Sequence, residues 1–428
     1  MGNASNHVKG GYIGRLLYAD LSKAALRTVN LEPPFMLRYV GGRGWGARII
    51  WDEIPPRADP LGPRNKLCVI TGPLTGTLAV ASGKTSFSAI SPATGYYGDS
   101  NMGGVFGVRL KQAGFDGLVI EGRATSPVYL WVRDGEAEIR DAGDYWGKGS
   151  LEAETIIRRD LGDARASVVS IGPAGENLVK FACITGDYGR QAARCGLGAV
   201  MGSKGLKAIA VSGSQDIPVA DIGGLWQVFK EVMRFISESV DTDFWRRQGT
   251  WQFFEWSNGN ECLPTRNFSE TICRPFSRMG DVLAGGSKAA DTTCFLCPIG
   301  CGNLCRVRTG GRAVATIGPE YESAAMLGPN CGIESFTDVA YAAYLCDELG
   351  LDAVSAGAVA AFAMECRERG ILTDKDLGVD LRFGNGDALF RFLEMLARRD
   401  GIGNLFAEGV KGASKVIGRG SERFAMHV

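Results

Sequence analysis

The spacing of apolar and polar positions changes character near residue 213. Before that point, short β-branched or alternating apolar runs are separated by Gly and Pro turns, a pattern typical of strands. After it, apolar residues recur mostly at helical spacing. A polar link, Ser-Gln-Asp-Ile-Pro at 214–218, lies near the change. We therefore predict an α+β protein with a β-rich domain at 1–212 and a helical domain at 213–428.

The pattern also predicts individual elements. In the first domain the predicted strands are 12–19, 66–71, 85–90, 117–121, 128–133, 167–171 and 206–211. Its predicted helices are 36–51, 102–113, 151–161 and 190–203. In the second domain the predicted helices are 222–238, 335–349, 353–369, 386–399 and 403–417.

Charge and cysteine content narrow the class of protein. The 47 basic and 47 acidic residues balance, which disfavours a nucleic-acid or anionic-membrane partner. Twelve cysteines in a chain of 428 residues indicate free thiols in a reducing cytoplasm rather than a disulfide scaffold. Residues 1–10 have no apolar signal core, and no apolar run is long enough to span a membrane. Sixty glycines indicate tight turns and close backbone approach to a ligand.

Three cysteines lie within eight residues, as C-x2-C-x3-C at Cys294, Cys297 and Cys301. Runs of this kind hold iron–sulfur clusters, and a cubane cluster takes four thiolates. Zinc is less suitable because a second C-x2-C pair is missing, and the reversed spacing of radical-SAM enzymes fails because position 304 is Leu. Buried structural thiols are the plain alternative. Cys305 is a fallback fourth ligand.

Two Gly-rich stretches do not qualify as nucleotide sites. Residues 41–46 have bulky Arg and Trp between the glycines and lack the G-x-G-x-x-G register. Residues 83–85 imitate the end of a P-loop, but Leu78 stands where the first glycine is required.

Four other segments are candidates for binding or proton transfer. Residues 101–104 and 190–196 combine small residues with nearby arginines, which suits a phosphate-bearing ligand, although spacing alone favours ordinary helix starts. Glu320 and Glu322 follow the cysteines and are expected in the first turn of a helix. Residues 347–352 are expected to end one helix at a Gly cap and to begin the next at an Asp cap.

Taken together, these segments resemble the aldehyde ferredoxin oxidoreductase family of tungsten enzymes. The resemblance runs from about residue 10 to the end. It rests on ordered strings at 71–76, 170–181, 198–204, 294–301, 318–323 and 347–352.

The resemblance implies a cofactor-carrying base of two sheets in the N-terminal domain, covered by helical domains. It implies tungsten (or molybdenum) held by two molybdopterins, a [4Fe–4S] cluster beside one of them, and a Mg²⁺ ion bridging the pterin phosphates. The implied reaction oxidises an aldehyde to a carboxylic acid, and electrons leave to ferredoxin or another electron-transfer protein.

Residue by residue, the resemblance assigns three sets. Glu322 matches a carboxylate near the metal and is the proton-transfer candidate. Cys294, Cys297 and Cys301 match cluster ligands. The positions that match pterin-binding segments are Lys84, Asn101, Gly103, Arg190, Gln191, Ala193, Arg194, Asp347, Leu351 and Asp352. Lys84 stands where some members have Arg, so the charge is kept but a bidentate phosphate contact is lost.

Three features depart from the family pattern. The fourth cluster cysteine, the active-site histidine and the second pterin's segment belong to a third domain, which is expected beyond residue 428. Members that bridge two subunits with iron use a Glu and a His, where Tyr341 and Phe390 stand here, so that iron site is expected to be absent. A homodimer or a separate chain that supplies the third domain is the expected assembly.

The chain alone is therefore expected to have weak or no activity. Two alternatives stay open: an electron-transfer or scaffold subunit (or inactive fragment) that needs a separate third domain, and a reductase of activated aromatic acids from the same family.

Overall fold

The structure, a computed structural model, describes residues 8–274 and 287–427, which group into two compact units. Within these residues, the first unit comprises 8–178, 182–238 and 294–298. The second comprises 179–181, 239–274, 287–293 and 299–427. Residues 1–7, in which no signal core is expected, lie outside the described part.

The first unit contains two six-stranded sheets in its described residues. Their orders are β2-β1-β6-β3-β4-β5 and β11-β10-β9-β12-β7-β8, with parallel pairs only at β1–β6 and β7–β12. The strands are β1 (Arg15–Asp20), β2 (Ala25–Asn30), β3 (Leu67–Thr71), β4 (Thr85–Ile90), β5 (Tyr97–Met102), β6 (Gly117–Glu121), β7 (Val128–Arg133), β8 (Glu136–Asp141), β9 (Ser167–Ser170), β10 (Ile184–Gly186), β11 (Arg190–Ala192) and β12 (Leu206–Ser212). The helices are α1 (Pro33–Tyr39), α2 (Gly42–Glu53), α3 (Phe106–Gln112), α4 (Ser150–Leu161), α5 (Pro173–Glu176), α6 (Leu197–Ser203) and α7 (Ile222–Glu238).

Both faces of the central strands are buried. Leu17 and Val69 belong to a core that the two sheets share with α3 and α6. Their neighbours Leu16 and Cys68 point the other way and pack with α2. The second sheet packs against α4 in the same manner. Burial on two faces explains why these strands are almost continuously apolar instead of alternating.

The second unit is mainly helical. Its helices are α8 (Val240–Gln248), α9 (Gln252–Gly259), α10 (Tyr321–Leu327), α11 (Phe336–Leu349), α12 (Ala353–Glu368), α13 (Asp374–Leu377), α14 (Gly386–Arg398), α15 (Gly403–Phe406) and α16 (Gly409–Ile417). A three-stranded sheet, ordered β13 (Lys288–Thr292), β14 (Gly302–Thr309) and β15 (Arg312–Ile317), flanks the cysteine run. Helix α12 is buried along most of its length. Its Gly357 allows this, because a Cβ there would lie 2.6 Å from Met326 O of α10.

The predicted α+β class is confirmed, with sheets in the N-terminal region and mainly helices after it. Strands 85–90, 117–121 and 128–133 and helix 222–238 have the predicted bounds. The domain boundary near residue 213 stays a prediction. Among the described residues, no helix combines the length and the apolar character that a membrane crossing would need.

One helix that was predicted as continuous in the first unit is interrupted in the structure. Residues 36–51 were expected to form a single helix, but α1 and α2 are separated at Val40 and Gly41, whose φ angles are +64° and +143°. A Cβ on Gly41 would lie 2.8 Å from Thr71 O. The backbone must therefore turn here to pass close to β3, which only glycine permits at this φ.

Candidate functional site

The predicted cofactor-binding turn after β5 lies against the cysteine segment of the first unit. Gly103 is buried directly after the strand, and a Cβ placed on it would lie 2.6 Å from Cys294 Sγ. The backbone N–H of Phe295 donates to Gly104 O at 3.3 Å. A side chain at 103 would push the thiol away, so glycine is what lets the cysteine reach this turn.

Lys84 lies next to the same turn on the neighbouring strand. The antiparallel register of β4 and β5 places Lys84 beside Gly103, one residue beyond the paired ends. Its side chain is exposed. A Cβ on the preceding Gly83 would lie 3.1 Å from Phe295 Cβ, so the backbone is tightly packed here as well. The Lys84 ammonium is thus available to an anionic ligand beside a glycine-lined turn.

Asn101 is exposed on β5 and is oriented by a fixed carboxylate. Its Nδ2 donates to Asp99 Oδ2 at 3.0 Å. Asp99 also accepts from Ser86 Oγ at 2.5 Å and pairs with Arg43 at 2.9 Å. The Asn101 Oδ1 has no partner among the described residues, and it can accept a hydrogen bond from a ligand.

The segment 190–194 lies at the same edge of the first unit, because β11 runs beside β5. Ser91 Oγ donates to Cys195 O at 2.8 Å, and a Cβ on Gly98 of β5 would lie 2.9 Å from Cys195 Cβ. Arg190, Gln191 and Ala193 are half-buried and Arg194 is exposed. The structure therefore brings together the predicted positions 84, 101–103 and 190–194.

The helix predicted at 190–203 is wrong in its first half. Residues 190–192 form β11, which pairs antiparallel with β10. Cys195 and Gly196 then adopt φ angles of +74° and +69°, so α6 begins only at Leu197. Hydrogen bonds to the neighbouring strand override the local helical pattern.

Two residues with positive φ angles bend the backbone of the cysteine run. Leu296 and Gly300 have φ angles of +47° and +59°, and the three cysteines are half-buried. Cys294 and Cys297 group with the first unit and Cys301 with the second. The part of the chain that the structure describes contains no group of three or more His, Cys, Asp or Glu side chains arranged for a single metal ion. A cubane takes each thiolate on a different iron, which requires a more open arrangement.

Cys305 is a poor fallback ligand. It is fully buried on β14, in an apolar cluster with Trp251, Val307 and Phe336. Burial raises the pKa of its thiol to about 11. Since a thiolate is the form that binds metal, this position disfavours ligation.

The residues of the first unit fit the implied groups in their chemistry. Lys84, Arg190 and Arg194 offer cations for phosphates, and Asn101 offers a polar edge. Gly103 lies so close to the Cys294 thiol that a side chain at 103 would clash with it. This donor set suits a phosphate-bearing cofactor.

The segment 347–352 has the predicted helix-capping geometry in the second unit. Gly350 ends α11 in the left-handed conformation, and Asp352 begins α12 by accepting from Val354 N at 3.1 Å and Ser355 Oγ at 2.5 Å. Leu351 is fully buried. A ligand role for Asp352 would come in addition to this structural one.

Asp347, at the end of α11, is a buried carboxylate. Burial, with the nearby charges of Glu348 and Glu320, raises the pKa of Asp347 well above its usual range. Its burial therefore disfavours the charged form of this carboxyl.

Glu322 lies in the first turn of α10, as predicted, and is exposed. Its neighbour Glu320 accepts from Thr250 Oγ1 at 2.6 Å. Glu322 thus has a helix-dipole role and stays accessible for proton transfer.

Tyr341 and Phe390 form an edge-to-face ring pair with centroids 4.8 Å apart. The guanidinium carbon of Arg312 lies 5.4 Å and 5.3 Å from the two ring centroids. An aromatic–cation cluster occupies these positions.

Two family models match most of the chain. Residues 16–213 match the N-terminal domain of aldehyde ferredoxin oxidoreductase, and residues 227–428 match its domains 2 and 3. The chain belongs to the aldehyde ferredoxin oxidoreductase family.

Comparison with individual proteins supports the same family assignment. The chain is 41% identical over 404 residues to a tungsten-containing aldehyde ferredoxin oxidoreductase of Pyrococcus furiosus, covering 93% of this chain and 66% of that protein. It is 33% identical over 452 residues to the WOR-like subunit of an aliphatic sulfonate oxidoreductase of the same organism, covering 97% and 70%. The active-site complex BamBC of benzoyl coenzyme A reductase, solved with 1,5-dienoyl-CoA, matches with a TM-score of 0.88 at 30% identity, covering 98% of this chain and 65% of that one.

The chain thus spans about two thirds of the length of the tungsten-containing relatives it matches. What those whole proteins do is therefore carried to this family member only as a proposal.

Sequence reasoning missed Asp187, in the turn between β10 and β11. Its Oδ2 accepts from the backbone N–H of Val105 at 2.6 Å and of Phe106 at 3.0 Å, and its Oδ1 accepts from Ser167 Oγ at 2.6 Å. An Asp-Tyr-Gly turn is recognisable once β10 and β11 are known, but a helix was expected at 190.

Glu154 of α4 holds the same turn from its other side. It accepts from Tyr188 N at 3.0 Å and from Arg158 at 3.0 Å. Burial is the largest cause that raises the pKa of Glu154 from 4.5 to about 7, and the charge of Asp187 adds to the effect.

We expect Glu154 to make stability fall as pH rises. A carboxyl with a raised pKa favours the protonated native state, so its contribution is complete below pH 4.5 and is lost up to about pH 7. Relative to Glu154→Gln, the wild type should lose roughly 3 kcal/mol of unfolding free energy across this window, at about 1.4 kcal/mol per pKa unit. Denaturant titrations at several pH values measure this. Glu152→Gln, on the exposed side of α4, is the control, and parallel pH curves for wild type and Glu154→Gln would contradict the expectation.

Proposed function

We propose that this chain is an oxidoreductase that oxidises an aldehyde to a carboxylic acid at a tungsten (or molybdenum) bis-pterin centre. Cys294, Cys297 and Cys301 would hold a [4Fe–4S] cluster, with ferredoxin as the electron acceptor. When bound, the metal centre supplies the two-electron oxidation and the cluster supplies one-electron transfer. The overall reaction consumes one water and releases two protons and two electrons.

The observation that carries this proposal is the approach of Cys294 Sγ to Gly103. It joins a predicted cluster ligand to a predicted pterin-binding turn within one compact unit. Electron transfer between two centres needs this kind of proximity.

Each predicted residue has a role in the proposal. Lys84, Arg190 and Arg194 would bind the cofactor phosphates together with Mg²⁺, and Asn101 and Gln191 would orient the pterin edge. Gly103 and Ala193 present backbone without steric obstruction. In the second unit, Asp347, Leu351 and Asp352 would contact one pterin, while Glu322 would accept the proton that leaves the substrate.

Aldehyde-dependent reduction of a viologen dye tests the activity. Protein prepared without oxygen and with tungstate is assayed alone and with a polypeptide that covers the third of the relatives that this chain does not match. We expect aldehyde-dependent turnover in the mixture. In the mixture, Glu322→Gln should lower kcat by about 10²–10⁴-fold, as for loss of an acid–base group, with cofactor content unchanged.

Glu255→Gln, an exposed carboxylate of α9, is the control for that substitution. A pterin-loaded mixture that is inert toward every aldehyde would contradict the reaction itself and favour an electron-transfer or scaffold subunit.

A reductase of activated aromatic acids is the second candidate. Its support is the fold match to a benzoyl coenzyme A reductase complex over 98% of this chain. Dye oxidation that depends on an aromatic acyl-CoA thioester, with no aldehyde response, would favour it. A cytoplasmic location and a homodimer or a partner chain remain part of the proposal in either case.

A further inference from the structure

We propose that Asp187 is a positioning residue that holds two predicted cofactor-binding segments, 101–104 and 190–194, in a fixed relation. This inference depends on the proposed function only in assigning these two segments to a cofactor. The coupling itself is a property of the first unit and can be measured without any cofactor.

Asp187 lies in a hairpin turn that leads directly into Arg190. Asp187 and Tyr188 have φ angles of +47° and +62°, and Gly189 N donates to Gly186 O at 3.2 Å. Two successive residues with positive φ are typical of tight hairpin turns, whose geometry fixes the path of the strand that follows. The position of the turn therefore determines where the segment 190–194 begins.

The carboxylate connects this turn to the segment after β5. Asp187 Oδ2 accepts from the N–H groups of Val105 and Phe106, which open α3. Val105 provides no side-chain cap of its own, so a residue from a distant part of the chain caps the helix. Hydrogen bonds to an ionised carboxylate are stronger than neutral ones, and here two of them share one oxygen.

The backbone of Gly104 passes close to the same carboxylate oxygen. Its φ is +95°, and a Cβ on it would lie 2.3 Å from Asp187 Oδ2. Ser167 Oγ on β9 holds the other carboxylate oxygen at 2.6 Å. One side chain thus contacts residues 104–106 and the second sheet, and its own turn leads into the start of 190–194. A displacement of either predicted cofactor segment must move this carboxylate.

Amide hydrogen exchange on cofactor-free protein tests the coupling. Asp187→Asn removes the charge and one of the two acceptors, because its amide oxygen can accept from the two N–H groups or from Ser167 Oγ, and Nδ2 cannot accept at the other position. We expect exchange to become at least about tenfold faster both at Val105 and Phe106 and across 190–194, which is the loss of about one charged hydrogen bond. Faster exchange confined to 105–106, or no change, would overturn the proposal, since Asp187 would then only cap α3.

Asp163→Asn is the matched control. Asp163 also accepts from a backbone N–H, of Arg165 at 2.9 Å, and from a serine, Ser212 Oγ at 2.7 Å, but it contacts neither cofactor segment. This variant should leave exchange at 101–106 and 190–194 unchanged. Equal effects of the two substitutions would reduce Asp187 to a general stabilising residue and would also overturn the proposal.

The pterin content of folded protein gives the second readout. We expect Asp187→Asn to retain several-fold less pterin than Asp163→Asn at equal thermal stability, and Asp187→Asn with wild-type pterin content would overturn the positioning role. If the wild type itself carries no pterin, the proposed function fails, while the exchange measurement still decides whether Asp187 couples the two segments.

Discussion

Replacing Cys297 with serine is expected to lower the iron bound per chain to less than about a tenth of the wild-type value. Loss of an outer partner of a metal site already costs about 10–100-fold in affinity, and a direct ligand should cost at least as much. Cys297 is half-buried in a turn where Cys297 N donates to Cys294 O at 3.1 Å, so it packs no core. The fold should therefore survive the substitution.

The measurement is iron and labile sulfide per chain after anaerobic reconstitution, with circular dichroism as the check on folding. Cys262→Ser is the matched control, because Cys262 is exposed and lies outside the run. Unchanged iron in Cys297→Ser would rule out this thiol as a ligand. Equal loss in Cys262→Ser would show that iron binds nonspecifically.

The second large effect is expected at Gly103. Gly103→Ala places a methyl group where the Cβ would lie 2.6 Å from Cys294 Sγ, so the thiol must move away from the turn. The cost in stability should be small, because Sγ lies at the end of a side chain that can rotate away. The loss of bound iron and pterin should be much larger than this cost implies, because one methyl group disturbs both predicted sites.

Gly259→Ala is the control for this substitution, since a Cβ there meets nothing within 4 Å. Iron, pterin and thermal midpoint are compared among the three proteins. Full iron and pterin content in Gly103→Ala would mean that the close contact with Cys294 has no functional role.

Local signals account for the features that sequence predicted well. In the second unit, Gly350 and Asp352 mark the end of one helix and the start of the next, and the structure places both caps there. Such caps depend on residues adjacent in sequence. In the first unit, β-branched runs bounded by Gly and Pro located the central strands, whose burial on both faces requires apolar residues throughout.

Much of what the sequence did not predict depends on contacts between residues that are distant along the chain. Strand β5 carries polar and glycine residues, YGDSNM, and is identified as a strand only by its pairing with β4. Strands β13–β15 flank the cysteine run, where no strand was predicted. Asp187 is 81 residues from Phe106 along the chain, so its contact could not be found from spacing. The same holds for the approach of Cys294 to Gly103.

The most direct test of the central claim is the amount of tungsten, pterin and iron per wild-type chain, purified without oxygen from cells supplied with tungstate. The account predicts that pterin and iron copurify with the folded chain in a constant ratio and that Gly103→Ala lowers both together. A folded wild-type chain that carries neither pterin nor tungsten, even when iron is present, would contradict the assignment of the turn at 101–104 to a pterin cofactor.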